Sequence, residues 1–212
     1  MNGIDFGEEL RIDTDAMLVN FFNAHLGRGT TTHQGVQYFV LGENQWRSAP
    51  TWPPNTTTSD YYLSSKGNAN SSFGDGQLSR TPSDHFTYDP EVPVSAPGGM
   101  MPIWGPIDLK AQQQGNNILV YDTDKFDDSM TLAGHAALEL SVATTAEATD
   151  FVARLSWLRS NGQAIFLSLA AVSTDSLQKQ ANGTYQLKLN FDATAVTIPA
   201  GEALRLDIAS SA

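Results

Sequence analysis

Four aromatic residues are the best candidates in this sequence for binding a ligand: Trp46, Trp52, Tyr61 and Tyr62. Their rings could together form a platform on which a sugar stacks. Alternatively, Trp46 and Trp52 could pack across a junction between two domains, since aromatic rings bury large areas and an indole N–H needs only one partner. The junction is the favoured interpretation, because both tryptophans follow shortly after the segment with the clearest helical periodicity.

Acidic residues form a second group of candidates. The run from Asp122 to Asp128 spaces carboxylates as a calcium loop does, but its sixth and twelfth positions are Asp127 and Ala133, where such a loop has glycine and glutamate. Asp75 stands between two glycines, a pattern typical of a turn. We therefore interpret the run as a solvated turn and Asp75 as a structural turn residue, with no metal.

The sequence also offers few residues that could bind a metal or act as a nucleophile. The four histidines are not spaced three or four residues apart, as metal ligands on one helix face would be, and the sequence has no cysteine. His25 is expected to interact with the C-terminal end of a helix, where the helix dipole favours a cation. No cofactor and no catalytic residue are predicted. The histidines are His25, His33, His85 and His135.

Charge and hydropathy exclude two classes of partner. The net charge of −11 would repel both a nucleic acid backbone and an anionic membrane surface. The sequence has no apolar run of about 18 residues, and its first ten residues are acidic rather than basic. Neither nucleic acid nor membrane is expected as a partner. The absence of cysteine leaves the compartment open, with the cytoplasm slightly favoured.

One helix and a series of strands must position these residues. Apolar residues between Ile12 and Leu26 recur at helical spacing, Asp13 or Thr14 can cap the first turn, and Gly27 with Gly29 can end the helix. The remainder is punctuated by Gly, Pro, Asn and Asp, which predicts an all-β domain, either a sandwich or a jelly roll. Residues 78–114 are rich in Pro and Gly and are predicted to be an extended loop over the sandwich. The predicted strands are VQYFVLG from Val36, DYYLSS from Asp60, NILVYDT from Asn117, AALELSVATT from Ala136, DFVARLSWL from Asp150, AIFLSLAAV from Ala164, TYQLKLNF from Thr184 and ALRLDIASS from Ala203.

Several motifs occur in an order that resembles one known family. The segment YFVLGENQWRSAPTWPP resembles the entry strand of the C-terminal domain of X-prolyl dipeptidyl-peptidase and cocaine-esterase-like (CocE/NonD) serine hydrolases. The segments YYLSSKGNANSSFGDGQLS, HFTYDPEVPVSAPGG, TDFVARLSWLRSNGQAIFLS and ALRLDIASS continue the resemblance in the same order. DTDAMLVNFFNAHLGRG resembles the last helix of the family's catalytic α/β-hydrolase domain.

The resemblance implies a galactose-binding-like jelly roll at residues 30–212, preceded at residues 1–29 by a helix left from an α/β-hydrolase domain. It also implies that the full-length enzyme hydrolyses esters or amides, including X-prolyl dipeptides in some members. The sequence departs from the family pattern after the Asn-Gly hairpin, where SLAAVSTDSLQ has no arginine, and at Glu202 and Ala203, where a histidine is common. A surface or domain contact is expected to differ there.

The catalytic triad is expected to lie upstream. A hydrolase of this type needs a G-x-S-x-G nucleophile elbow followed by Asp and then His. The sequence has no such elbow, and no histidine precedes the helix. We therefore expect a C-terminal sandwich domain that supports a catalytic domain and is inactive alone. The alternatives are a free-standing module that binds a carbohydrate or another ligand and, least favoured, an enzyme in its own right.

Two further expectations concern structure. Asp150 precedes a strand and is expected to accept backbone hydrogen bonds in the turn before it. The apolar helix face formed by Met17, Leu18, Phe21, Phe22 and Leu26 must be covered, either by folding back near Trp46 and Trp52 or by a second copy of the chain, with the dimer favoured. The strand that ends near Ala212, where relatives continue, is expected to leave an edge that invites the same association.

Overall fold

The structure is a computed structural model that describes residues 6–29, 35–79, 84–94 and 107–211. His33 and parts of the predicted loop, 80–83 and 95–106, lie outside these residues. One α-helix, α1 (Thr14–His25), precedes the strands. Within the described ranges the strands are β1 (Val36–Val40), β2 (Gln45–Ala49), β3 (Tyr62–Ser64), β4 (Gln77–Ser79), β5 (Leu119–Asp122), β6 (Met130–Gly134), β7 (Ala137–Val142), β8 (Asp150–Leu158), β9 (Ala164–Ser173), β10 (Tyr185–Asn190), β11 (Thr194–Ile198) and β12 (Ala203–Ala209).

Helix α1 forms where the sequence predicts it. The Asp13 carboxylate caps the first turn by accepting a hydrogen bond from the Ala16 N–H at 2.9 Å. At the other end the backbone turns through Gly27, whose φ of 70° favours glycine. His25 donates from Nδ1 to the Phe21 carbonyl at 2.8 Å, in the last turn as expected. Among the described residues, no helix has both the length and the apolar character needed to cross a membrane.

A six-stranded sheet forms one layer of the molecule, with strand order β3-β4-β5-β12-β8-β9. Its pairs are antiparallel apart from β4 with β5. The central strands β8 and β12 are buried along almost their whole length. Alternate residues of each strand enter the main core, and the residues between them, which include Arg154, Arg205 and Asp207, are buried on the other face.

The second layer consists of the antiparallel pairs β7–β10 and β6–β11. In β10 the apolar residues Tyr185, Leu187 and Leu189 are buried while the residues between them are exposed, as the alternation in the sequence predicts. These side chains share one core with residues of β8 and β12, which lies between the layers. The predicted β-sandwich is confirmed, whereas the galactose-binding-like assignment stays a prediction.

Four strands were not predicted from the sequence: β2, β4, β6 and β11. Strand β4 has only three residues, and β2 (QWRSA) is largely exposed and has no alternating pattern. Strands β6 and β11 pair with each other, but short or polar residues (MTLAG and TAVTI) weaken their periodicity. These strands are defined by their partners more than by their own composition.

The outer face of the six-stranded sheet is covered by the described parts of the segment predicted as a loop. Val94 is buried with Ile118, Val120 and Ala209, and its N–H donates to the Ser211 hydroxyl at 2.9 Å. Residues 107–109 run beside the start of β9, where the Leu109 N–H donates to the Ala164 carbonyl at 2.7 Å. This cover explains why both faces of β8 and β12 are buried.

A charged network lies between this cover and the sheet. Arg154 and Asp207 are cross-strand partners on β8 and β12, are 1% and 0% exposed, and are joined by an Nε to Oδ1 bond of 2.7 Å. The buried Gln113 of the covering segment donates to the other Asp207 oxygen at 2.8 Å and accepts from Arg205 at 2.9 Å. Arg205 in turn donates to both carboxylate oxygens of Asp122, at 2.6 and 2.7 Å.

Burial and pairing act in opposite directions on Asp207. Desolvation raises the pKa of the Asp207 carboxyl, while Arg154, Gln113 and Arg205 oppose that rise. A buried ion pair of this kind gives little net stability, but removing one partner leaves an uncompensated buried charge. The sheet is therefore stable only when Gln113 and its segment are in place, because Gln113 bonds both Asp207 and Arg205.

A second contact attaches residues 84–94 to the sheet. The Tyr121 hydroxyl donates to Asp84 Oδ2 at 2.8 Å, and the Ser65 hydroxyl donates to the other Asp84 oxygen. Burial, followed by the hydrogen bond and charge of Asp84, raises the pKa of Tyr121 far above its ordinary value. Tyr121 is therefore a neutral donor throughout the physiological pH range.

We predict that Asp207→Ala lowers the free energy of unfolding by about 3–5 kcal/mol, because it leaves Arg154 charged and buried. The matched control is Glu139→Ala, which breaks the exposed Lys188–Glu139 pair and should cost less than about 1 kcal/mol. Urea unfolding measures both. Equal losses in the two variants would contradict the prediction.

Candidate domain interface

The hairpin of β1 and β2 carries Trp46, is followed closely by Trp52, and is attached to the second layer of the sandwich. Strand β1 pairs antiparallel with β2, with Phe39 opposite Trp46. Just beyond β1, the Leu41 N–H donates to the Ala195 carbonyl at 3.0 Å, and the Thr197 N–H donates to the Leu41 carbonyl at 2.8 Å. Two backbone hydrogen bonds to β11 thus fix where the hairpin projects.

The hairpin turn is shaped for this attachment. Gly42 has a φ of 87°, and a Cβ atom there would lie 2.2 Å from the Thr197 carbonyl oxygen. The neighbouring Glu43 accepts from the Thr197 hydroxyl at 2.6 Å and from Arg47 at 2.5 Å. The turn therefore needs glycine for two independent reasons, backbone conformation and close approach.

Trp46 connects the hairpin to the segment that leads into α1. Its indole Nε1–H donates to the backbone carbonyl of Glu9 at 2.8 Å. Its ring meets Phe39 edge to face at 5.6 Å, and Phe39 packs against the main core. Three residues before Glu9, the Phe6 side chain is itself part of that core. The side chain of Trp46 is 39% exposed, so it also contributes to the surface.

Trp52 has different neighbours. Its ring meets Tyr38 at 5.1 Å, and its Nε1–H donates to Nε2 of His135 at 3.1 Å. Because an indole N–H can only donate, Nε2 of His135 must accept, which places the ring proton on Nδ1, 3.3 Å from the Phe191 carbonyl oxygen. Trp52 and Tyr38 line a shallow apolar groove of about 330 Å³ with Val36, Ala193 and Thr194.

The two tryptophans do not form one platform. Trp46 packs on Phe39 and Trp52 packs on Tyr38, and consecutive side chains of a strand point to opposite faces. Tyr61 and Tyr62 are also consecutive, at the start of β3 on the edge of the six-stranded sheet, and are exposed. Of the four candidates, only Trp46 contacts the segment preceding the helix.

The apolar face of α1 is exposed to solvent. Met17, Leu18, Phe21 and Phe22 are 49%, 55%, 55% and 56% exposed, and no side chain of the helix is buried. Ile12, Met17, Leu18 and Phe21 line a shallow depression with Thr14. The described helix does not fold back on the sandwich as one of the two expectations had it, because its large apolar side chains are exposed. The 3-10 turn at Glu8–Leu10, which precedes the helix, packs against β2.

The remaining acidic candidates lie in turns. Asp75 accepts hydrogen bonds from the backbone and side chain of Asn68, at 3.2 and 3.3 Å. Desolvation opposes ionisation of Asp75, but these bonds and backbone N–H groups outweigh it and lower its pKa. In the turn before β8, where the sequence predicts that the Asp150 carboxylate accepts backbone N–H groups, the Thr149 N–H donates to the Thr174 hydroxyl at 2.9 Å. A structural role for Asp150 therefore stays a prediction.

The acidic run from Asp122 to Asp128 is also structural or exposed to solvent. Both carboxylate oxygens of Asp122 are engaged by Arg205, while Asp124, Asp127 and Asp128 are exposed. In the part of the chain that the structure describes, no cluster of three or more His, Asp or Glu side chains could hold a metal ion. Exposed large apolar side chains are concentrated on α1, and Trp46 is exposed beside the segment that leads into it.

Comparison with known proteins identifies the domain. Residues 28–212 match the family described as the X-Pro dipeptidyl-peptidase C-terminal non-catalytic domain. The chain belongs to this family. The resemblance of its motifs to the C-terminal domain of the X-prolyl dipeptidyl-peptidase and CocE/NonD group is thereby confirmed.

Individual relatives agree with the family. Cocaine esterase of Rhodococcus sp. (strain MB1 Bresler) is 30% identical over 211 residues, which cover 90% of this chain and 37% of the esterase. An α-amino acid ester hydrolase superposes with a TM-score of 0.71 at 18% identity, covering 92% of this chain and 36% of the hydrolase. An aminopeptidase of a marine sediment Thaumarchaeota archaeon superposes with a TM-score of 0.68 at 15% identity, covering 93% of this chain and 36% of the aminopeptidase. The chain thus spans little more than a third of these relatives.

Sequence reasoning missed two contributors to this interface. Phe6 is isolated in an acidic segment, and the Glu9 contribution is a backbone carbonyl, which no residue type reveals. The available signal was an aromatic residue followed by Gly7, which marks a chain that enters a core and then turns away. The partner of Trp46 could not be inferred, because it lies 37 residues away in the sequence.

We predict that Gly42→Ala destabilises the domain by at least about 1–2 kcal/mol more than Gly67→Ala. Both glycines have a positive φ, so both substitutions incur the left-handed backbone cost of about 1–2 kcal/mol. Only at Gly42 would the new methyl group meet a backbone oxygen; at Gly67 nothing lies within 4 Å. Urea unfolding measures the difference, and equal losses would show that the hairpin is not held closely against β11.

Proposed function

We propose that this domain completes a serine hydrolase by packing helix α1 and the β1–β2 hairpin against an α/β-hydrolase catalytic portion. The observation that carries the proposal is the exposed apolar face of α1, which precedes a domain whose family is described as non-catalytic. The relatives are nearly three times as long as this chain, which leaves ample length for a catalytic portion. The assembled enzyme is proposed to hydrolyse ester or amide bonds.

The energetics favour a permanent partner for the helix. Burying a large aliphatic or aromatic side chain contributes roughly 1.5–3 kcal/mol, so the face of α1 offers several kcal/mol that this chain alone does not gain. Soluble proteins rarely leave a contiguous apolar patch of this kind uncovered unless it is an interaction site. A catalytic portion that covers α1 would gain stability from the sandwich.

In this proposal the domain positions the catalytic portion and supplies no catalytic group. The nucleophile, the base and the oxyanion hole belong to the catalytic portion. The sandwich holds α1 in place and shapes access to the active site with the surface next to the hairpin. Its buried charges are committed to the Arg154–Asp207 network, which supports a rigid scaffold.

The alternative of a free-standing ligand module could use the groove beside Trp52. The residues lining it are mostly apolar, with the Thr194 and Tyr38 hydroxyls as its polar groups. Specific sugar binding requires several polar groups that converge on the ligand. The groove therefore supports this alternative less well than α1 supports a domain interface.

We predict no hydrolysis of p-nitrophenyl esters or X-prolyl anilides by this chain alone, because it has no nucleophile elbow. A fluorophosphonate probe should label no serine stoichiometrically. Hydrolysis at a constant rate that is abolished by labelling one serine would overturn the proposal that the domain is non-catalytic.

We predict that Phe21→Ser with Phe22→Ser weakens binding to the catalytic portion at least tenfold while leaving the unfolding midpoint of the sandwich unchanged. Both side chains are more than half exposed in this chain and support no part of its core. The catalytic portion is the α/β-hydrolase segment that we expect in the DNA upstream of Met1, expressed separately. Titration calorimetry measures the affinity.

The control is Phe73→Ser, which removes an aromatic side chain that is 77% exposed in a loop of the sandwich. It should leave the affinity unchanged. Without the catalytic portion, the same face is proposed to pair with a second copy, so the double variant should also convert a dimer to a monomer in light scattering. Unchanged affinity in the double variant would contradict the assignment of α1 as the docking face.

A further inference from the structure

The apolar surface of α1 is wider than one flat partner can cover. Successive residues of a helix lie about 100° apart around its axis. Ordered by that angle, the large apolar side chains of α1 follow one another at intervals of about 40–60° and form an arc of about 200°. In this order they are Met17, Phe21, Leu18, Phe22 and Val19. A helix that packs on one surface typically has an apolar stripe only about 100° wide.

The two edges of this apolar arc are both exposed. Met17 at one edge is 49% exposed, and Val19 at the other edge is 58% exposed. Their side chains point in nearly opposite directions, about 160° apart, so a flat surface that touches one of them leaves the other in water. Full cover of the arc therefore requires contact on both sides of the helix.

The rest of the circumference is polar or small. It holds Asn20 and Asn23 with the two alanines of the helix, Ala16 and Ala24. The two residues of the helix that are already partly buried, Asn23 and Ala24, both belong to this sector. Polar residues occur on the apolar arc only in the first and last turns of the helix. They are Thr14, Asp15 and His25.

We propose that α1 lies in an apolar groove of the catalytic portion, with contact on both sides of the helix and with the sector around Asn20 left open. This inference rests on the proposed function, because it names the shape of the partner surface that α1 contacts. The walls of the groove stand about 10–12 Å apart, the diameter of a helix with its side chains. This chain covers 37% and 36% of two relatives, which leaves ample additional length for such a groove.

Two other occupants fit the helix less well. A second copy related by two-fold symmetry would pair the same stripe of both helices, which covers one side of each and leaves the other side in water. A helix that lies at a membrane surface has a polar face rich in Lys and Arg, whereas α1 contains neither residue. The groove in the catalytic portion accounts for the whole arc.

Single cysteines report which sides of α1 are covered. The sequence has no cysteine, so Met17→Cys, Val19→Cys and Asn20→Cys each introduce one thiol into this domain. All three positions are exposed, so the substitutions leave the core of the sandwich intact. The rate of maleimide labelling is measured in this chain alone and in the assembled enzyme, which is made by expressing the catalytic portion together with this domain. Mass spectrometry of the peptide that contains α1 separates its label from labels elsewhere.

We expect labelling of Met17→Cys and of Val19→Cys to be at least tenfold slower in the assembled enzyme than in this chain alone. The matched control is Asn20→Cys, one residue from Val19, which should react at the same rate in both. Gel filtration checks that each variant co-elutes with the catalytic portion. Loss of co-elution in a Met17 or Val19 variant would also place that position in the contact, whereas loss in the Asn20 variant would contradict the open sector.

Three labelling results would overturn the inference. Slow labelling of only one of the Met17 and Val19 variants would mean that the partner covers one side of the helix, as a flat surface does. Slow labelling of Asn20→Cys in the assembled enzyme would show that the helix is enclosed all round. If both edge variants become slow in this chain alone as its concentration rises, the cover belongs to a second copy.

Failure of the groove can be told from failure of the proposed function. If one edge of the arc is protected in the assembled enzyme, α1 docks on the catalytic portion but not in a groove, and the proposed function stands. If neither Met17→Cys nor Val19→Cys is protected, α1 is not the docking face, and both proposals fail together.

Discussion

The pairing of Arg154 with Asp207 in the middle of the six-stranded sheet constrains the rest of the structure. The two residues face each other across β8 and β12, on the face of the sheet opposite the main core. Their charges can be buried only if further polar groups complete the hydrogen bonding, and Gln113 supplies one from outside the sheet. The segment carrying Gln113 must therefore lie over the outer face, which buries the sheet on both sides.

That arrangement leaves little of the sheet available for a partner and shifts the interaction surface to the other end of the fold. The β1–β2 hairpin is fixed to β11 at a turn where only glycine fits, and its Trp46 reaches the backbone that leads into α1. The exposed apolar face of the helix is thus presented by a rigid support. The buried charges stabilise the sandwich, and the exposed apolar face of α1 is left for a partner. Both features fit a domain that holds a catalytic portion in place and performs no chemistry itself.

The sequence predicts the regular parts of this fold well. The capped helix from Thr14 and the alternating β10 follow from local patterns that the structure repeats. The charged network could not be predicted, because the pairing of Arg154 with Asp207 depends on strand register across 53 residues. The local signals are the charged residues Arg154, Arg205 and Asp207 inside strands that are mostly apolar.

The candidate interface was predictable only in part. Phe21, Phe22 and Trp46 were chosen from residue type, and the structure places them on or beside the exposed surface. Trp52 has the same residue type, but it follows β2 and packs on Tyr38, whereas Trp46 packs on Phe39. Tyr38 and Phe39 are consecutive in β1 and so lie on opposite faces of the hairpin. The sequence shows which side chains are large and apolar enough to form an interface. Which of them share a surface depends on their partners in the folded hairpin.

Hydrogen exchange of this domain, with and without the catalytic portion, tests the central claim most directly. An isolated 12-residue helix without tertiary cover is marginal in water, so its amides should exchange rapidly in the free domain. The account predicts that binding slows exchange at least tenfold in peptides covering Thr14–His25 and Gln45–Ala49, and leaves Ala137–Val142 unchanged. Protection confined to Ala137–Val142, with α1 still exchanging rapidly in the complex, would contradict it.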